Sequence, residues 1–157
     1  MIDKYENWDI GLPLPQDLFF YKMNVEYYEI TILLKSLADH TQIVEIKFEY
    51  FVSYKVTVDL ALMKMVNDNA DFRGFARSTS SSYLNSIIEG SYDILERKNI
   101  EHFVIYNLDN AIEVLSDEPA TFRWLSREEV RSLKIHDRSM RYSPTFRHST
   151  ISKSVNS

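Results

Sequence analysis

From Val44 to Asp59 every even-numbered residue is apolar: Val44, Ile46, Phe48, Tyr50, Val52, Tyr54, Val56 and Val58. The odd positions are mainly polar (Glu45, Lys47, Glu49, Ser53, Lys55, Thr57, Asp59), and only Phe51 breaks the pattern. A period of two belongs to extended chain with one buried face and excludes a helix here. Parity also restricts the connection. Facing residues across a two-residue hairpin have numbers with an odd sum, so such a turn must switch the buried parity. No switch occurs. Either one long bent strand runs through, or two strands join through an odd-length loop.

The same test applies to Tyr28–Ser36, where Tyr28, Ile30, Ile32 and Leu34 alternate with Glu29, Thr31 and Lys35. Pairing its even face with Val44 sets Leu34 opposite Val44 and centres an odd loop on Asp39, with Ala38-Asp39-His40 at its tip. Residues 17–23 (DLFFYKM) read as a first strand, after an irregular lead-in whose Gly11-Leu-Pro-Leu-Pro15 cannot be helical. Three antiparallel strands then share one apolar face.

Leu60–Val66 is a short apolar segment open to helix or strand, Asn67–Asp71 is a loop by composition, and Phe72–Arg77 is ambiguous. Ser78–Ser82 supplies N-cap candidates for a helix running to about Lys98, with Leu84, Ile87, Ile88, Ile94 and Leu95 on one stripe. Gly90 inside it predicts a close approach of helix to sheet. His102–Asn107 and Ala111–Ser116 form a hairpin. A type I′ turn at Asp109-Asn110 would pair Phe103 with Ser116, Ile105 with Val114 and Tyr106 with Glu113. Thr121–Leu125 suits one further strand, and Ser126-Arg-Glu-Glu129 is a capping box that opens a short terminal helix. The expected fold is α+β: an antiparallel sheet packed against one principal helix, with a C-terminal hairpin and a short terminal helix. One domain over residues 1–141 is expected, followed by a disordered Ser/Thr-rich tail over 142–157.

Charge is divided unevenly. Of the net −5, residues 127–157 contribute +4 and residues 1–126 contribute −9. An acidic body repels nucleic-acid phosphates and favours basic partners. The absence of Cys excludes disulfides, thiolate metal sites and Cys nucleophiles, and three Gly leave no phosphate-cradling loop motif. The N-terminus lacks the basic and apolar regions of a signal peptide, and no apolar run nears the roughly 18 residues of a membrane span. A cytoplasmic protein without membrane association is expected.

Glu45-x-Lys47 places a carboxylate and an ammonium on one strand face, as Mg²⁺-dependent nucleases require, with Asp39 or Asp17 as the upstream acid. A solvated strand face of alternating charges uses the same residues. His40, His102, His136 and His148 have no ligand spacing, so neither a metal nor another cofactor is expected. Asp39-His40 could act as an acid/base pair or simply build a turn. Tyr21, Tyr27, Tyr28, Tyr50, Tyr54 and Tyr106 could stack bases, but without a basic face they suit a protein partner better.

The segment Ile100–Pro119, IEHFVIYNLDNAIEVLSDEP, resembles small Bacillus-type proteins encoded beside polymorphic toxins and taken to be immunity proteins. That resemblance implies a cytosolic inhibitor of a cognate toxin, often a basic nuclease, and assigns no residues. The expected function is thus a non-enzymatic protein-binding module with Glu45, Glu49, Tyr54, Asp59, Tyr106, Glu113, Asp117 and Glu118 as contacts. The alternatives are the nuclease built on Glu45 and Lys47, and a structural or regulatory domain without chemistry.

Overall fold

A computed structural model of the chain describes residues 3–58 and 74–141. Asp59, Leu60–Val66, the Asn67–Asp71 loop, Phe72 and the 142–157 tail lie outside the described residues. The chain divides into two compact units, Met1–Trp124 and Leu125–Ser157.

The first unit is α+β with two antiparallel sheets. Its strands are β1 (Glu6–Asn7), β2 (Leu18–Glu26), β3 (Glu29–Ser36), β4 (Ile43–Phe48), β5 (Ser53–Val58), β6 (Phe75–Ser78), β7 (Glu101–Tyr106), β8 (Asn110–Ser116) and β9 (Thr121–Trp124). One sheet has the order β1-β6-β7-β8-β5 and the other β2-β3-β4-β9. A single core lies between them. Ile30, Ile32, Leu34, Val44, Ile46 and Phe48 come from the four-stranded sheet, and Phe103, Ile105, Ile112 and Val114 from the five-stranded one. Each such side chain, fully removed from water, contributes about 1.5–3 kcal/mol.

The main core is therefore sheet on sheet, where one sheet against a helix was expected. The four residues Glu49–Val52 carry the chain from β4 in one sheet to β5 in the other. Parity stays constant because both strands turn their even residues toward the shared interior. The apolar face of β5 is nevertheless partly exposed, with Val56 at 47% and Val58 at 65%. β5 is an edge strand of its sheet.

Leu34 pairs with Val44 as the parity test predicts. The β7–β8 register differs from expectation by two residues: Phe103 faces Val114, Ile105 faces Ile112, and Val104 meets Glu113. The Asn107 side chain sets this register. Its Oδ1 accepts the N–H groups of Asp109 and Asn110, and its Nδ2 donates to Asn110 Oδ1. The turn closes on Leu108-Asp109, and neither has the positive φ of a type I′ turn.

The other face of the five-stranded sheet carries helix α1 (Ser82–Gly90), through a cluster of Leu84, Ile100 and Leu115. The helix is shorter than expected. Tyr92 and Asp93 take positive φ, and a 3-10 turn at Ile94–Arg97 follows. A Cβ on Gly90 would meet nothing within 4 Å, so this glycine, the last residue of the helix, serves no close approach. In the second unit α2 (Arg127–Arg141) starts at the expected capping box: Ser126 Oγ accepts from Glu129 N–H, and Glu129 Oε1 from Ser126 N–H. At 15 residues it is longer than expected. No helix among the described residues is long and apolar enough to cross a membrane.

Candidate functional site

Glu45 and Lys47 share the outward face of β4, but each is committed elsewhere. Across the β4–β9 ladder Arg123 faces Glu45 and grips its carboxylate with Nε at 2.9 Å and Nη2 at 3.2 Å. Lys47 Nζ lies 3.2 Å from Glu29 of β3. Asp17 and Asp39 hold the β3–β4 turn. Asp17 accepts from Ala38 N–H at 2.7 Å and from Ser36 Oγ, and these bonds, the Ala38 one foremost, hold its carboxyl below the usual range. Asp39 Oδ1 accepts from the N–H and the hydroxyl of Thr41, while the His40 ring packs on Phe19. Among the described residues no group of three or more His, Asp or Glu could hold a metal ion.

The acidic, Tyr-rich surface gathers at the β2–β3 turn. Glu26 pairs with Glu29, so Tyr27-Tyr28 form a two-residue tip. Tyr27 has φ 52 and is 97% exposed, and Tyr28 is 64% exposed. Glu26, Glu29 and Glu49 join both tyrosines around a shallow concavity of about 290 Å³. The Tyr28 ring lies 5.6 Å from Tyr50, whose ring has Lys98 Nζ at the same distance. Ser116 Oγ donates to Tyr50 C=O and accepts from Glu118 N–H, which ties the exposed Asp117-Glu118 bend to the Tyr50 backbone.

Of the expected contacts, Glu49, Asp117 and Glu118 thus gather around Tyr28 and Tyr50. Tyr54 sits on the β5 edge, packed edge-on against Phe51. Tyr106 is half-buried and lines a separate cavity. Asp59 lies outside the described residues. Glu113 is 3% exposed and so is removed from any contact surface. It faces the layer between the five-stranded sheet and α1.

That layer holds a polar group the sequence reasoning missed. His102 and Ser81 are both 0% exposed. His102 Nε2 lies 2.9 Å from Glu113 Oε1, and Nδ1 lies 2.7 Å from Ser81 Oγ. The Nε2 contact is close but lacks hydrogen-bond alignment. Lys55 Nζ approaches the other Glu113 oxygen at 3.6 Å and sits over the Tyr83 ring. Tyr5 and Tyr83 close on His102 edge-on, with ring centroids at 5.5 and 5.3 Å. Burial raises the pKa of the Tyr5 hydroxyl, and the Glu113 charge adds to the rise. Burial also raises that of Tyr83, against a hydrogen bond from Ser53. Ser81 is the N-cap of α1 and accepts from Leu84 N–H at 3.1 Å. The chain Ser81–His102–Glu113 has the residue types of a hydrolytic triad, but every member is closed off from solvent, and the serine oxygen is engaged in capping. It is a structural network. The missed signal is a lone Glu in a strand whose two parities are both apolar, two positions along from the residue facing the only His of the paired strand.

Comparison of the chain with family models, with curated proteins and with solved structures finds no match.

Proposed function

We propose that this chain is a non-enzymatic protein-binding module of the immunity type, one that neutralises a basic toxin domain by covering it with the β2–β3 tip. The observation that supports the reading is the tip itself. Two adjacent tyrosines, one almost wholly exposed and held at positive φ, stand among Glu26, Glu29 and Glu49. Tyrosine supplies large contact area at small entropy cost, and carboxylates around it steer a basic surface into place. The −9 charge of residues 1–126 acts in the same direction at longer range. A cytoplasmic site of action belongs to this reading.

The test is titration against the purified basic domain encoded by the neighbouring reading frame. Association should slow as salt rises. Tyr27→Ala should weaken the complex by about 30-fold, the size of a 2 kcal/mol anchor. Glu49→Lys should act mainly on the on-rate, and Glu45→Ala should change little. A complex indifferent to both Tyr27→Ala and Glu49→Lys, or no complex at all, refutes the reading.

A further inference from the structure

A second concavity lies on a different part of the first unit and is independent of the protein-binding reading. It has a volume of about 600 Å³ and opens between the lead-in, residues 8–16, and the turn after β7. Trp8, Leu12, Leu14 and Phe75 line it, together with the chain at Tyr106–Leu108. The lead-in is shaped to stand there. Gly11 takes φ +68, a left-handed conformation that favours glycine, and donates its N–H to Asp9 Oδ1 at 2.9 Å. Pro13 and Pro15 then keep the chain extended, so Leu12 and Leu14 fall on one side and pack against the core.

The polar backbone of the walls is largely spent on itself. Trp8 N–H donates to Phe75 C=O, Tyr106 N–H to Gly74 C=O and Leu108 N–H to Leu18 C=O. The Asn107 amide is consumed by its own turn. The exposed lining divides about evenly between polar and apolar surface, and Trp8, Leu12, Leu14 and Phe75 belong to its apolar part. Asp9 carries the one charged side chain among the described lining residues. A concavity of some hundreds of Å³ that sets apolar side chains beside polar groups has the form of a small-molecule site. Here the anchor is an anion, so charge complementarity fixes the head group of the ligand.

We propose that this cavity binds a small amphipathic amine, with its apolar body against Trp8 and Phe75 and its ammonium at Asp9. Aromatic faces also favour a cation beside them. The probe is 2-phenylethylamine, compared with uncharged 2-phenylethanol and anionic phenylacetate, using calorimetry and the Trp8 indole NMR resonance of the full chain. The amine should shift that resonance and bind about three-fold tighter than the alcohol, the size of a rim ion pair. Phenylacetate should bind least. Asp9→Asn keeps the oxygen that accepts from Gly11 and should abolish the preference for the amine without moving the unfolding midpoint. Equal binding of amine and alcohol, an amine preference that survives Asp9→Asn, or no binding of any probe overturns the proposal.

Discussion

Replacing Ser81 by Ala removes one oxygen that serves two partners, and the structure sets the cost of each. As N-cap, Ser81 Oγ accepts from Leu84 N–H at 3.1 Å. Loss of such a cap costs about 1 kcal/mol. The same oxygen is the partner of His102 Nδ1 at 2.7 Å, and both residues are 0% exposed. A methyl group there leaves the imidazole nitrogen buried and unpaired, at a cost of about 1–3 kcal/mol. The sum is about 2–4 kcal/mol, a large share of the roughly 5–15 kcal/mol that holds a domain together. Urea unfolding should therefore show a lower midpoint with an unchanged slope, and the thermal midpoint should fall by about 4–16 °C. Ser80→Ala, one residue away and exposed, is the control and should stay within about 0.5 kcal/mol. The two contributions can be separated. In a His102→Phe background no ring nitrogen is left to orphan, so Ser81→Ala should cost only the cap, about 1 kcal/mol. A full-sized loss in that background, or a loss below about 0.5 kcal/mol in the native one, would refute the assignment of Ser81 to both partners.

Two further outcomes follow. Asp17 has a carboxyl pKa held below the usual value of about 4, chiefly by Ala38 N–H. Its stabilisation is therefore full above the unfolded value and drains as pH falls through the lower folded one. Asp17→Asn should be less stable than the native chain at pH 7, with the gap closing in urea titrations toward pH 3; a gap constant with pH removes the argument. At the β2–β3 tip, Tyr27 holds φ 52, which costs a non-glycine residue about 1–2 kcal/mol. Tyr27→Gly should raise the unfolding free energy by up to about 1 kcal/mol while weakening the proposed complex, and a destabilised Gly variant counts against strain at that position.

Much of the strand layout can be read from alternation alone, and the register of β3 on β4 follows from parity because no bulge or side chain intervenes between Leu34 and Val44. The second hairpin defeats the same arithmetic. A polar side chain, Asn107, captures the turn one residue earlier than backbone preference places it, which shifts the register by two, and hydrogen bonds of that kind compete with ladder geometry without altering hydrophobic period. Alternation also cannot tell which sheet a strand joins. β4 and β5 keep the same inward parity from opposite sides of one core, so the crossing at Glu49–Val52 leaves no trace in the pattern.

The candidate surface was legible in kind and not in place. Acidic charge and abundant tyrosine are properties of composition, whereas their gathering depends on the β2–β3 ladder closing between Glu26 and Glu29. That turn contains neither Gly nor Asn, the residues that ordinarily announce a positive φ. Glu113 fails as a contact for the converse reason. β8 is covered on both faces, so a charged residue on it is either paired or excluded, and His102 and Lys55 supply the pairing. An acidic residue on a strand thus reports surface only where one face is free, as on β4, and the tip formed by Tyr27 and Tyr28 lies where neither core constrains the choice of side chain. Tyrosine at such a position, in a backbone conformation that favours glycine, carries a local cost, and that cost supports the proposal that the tip is a binding surface.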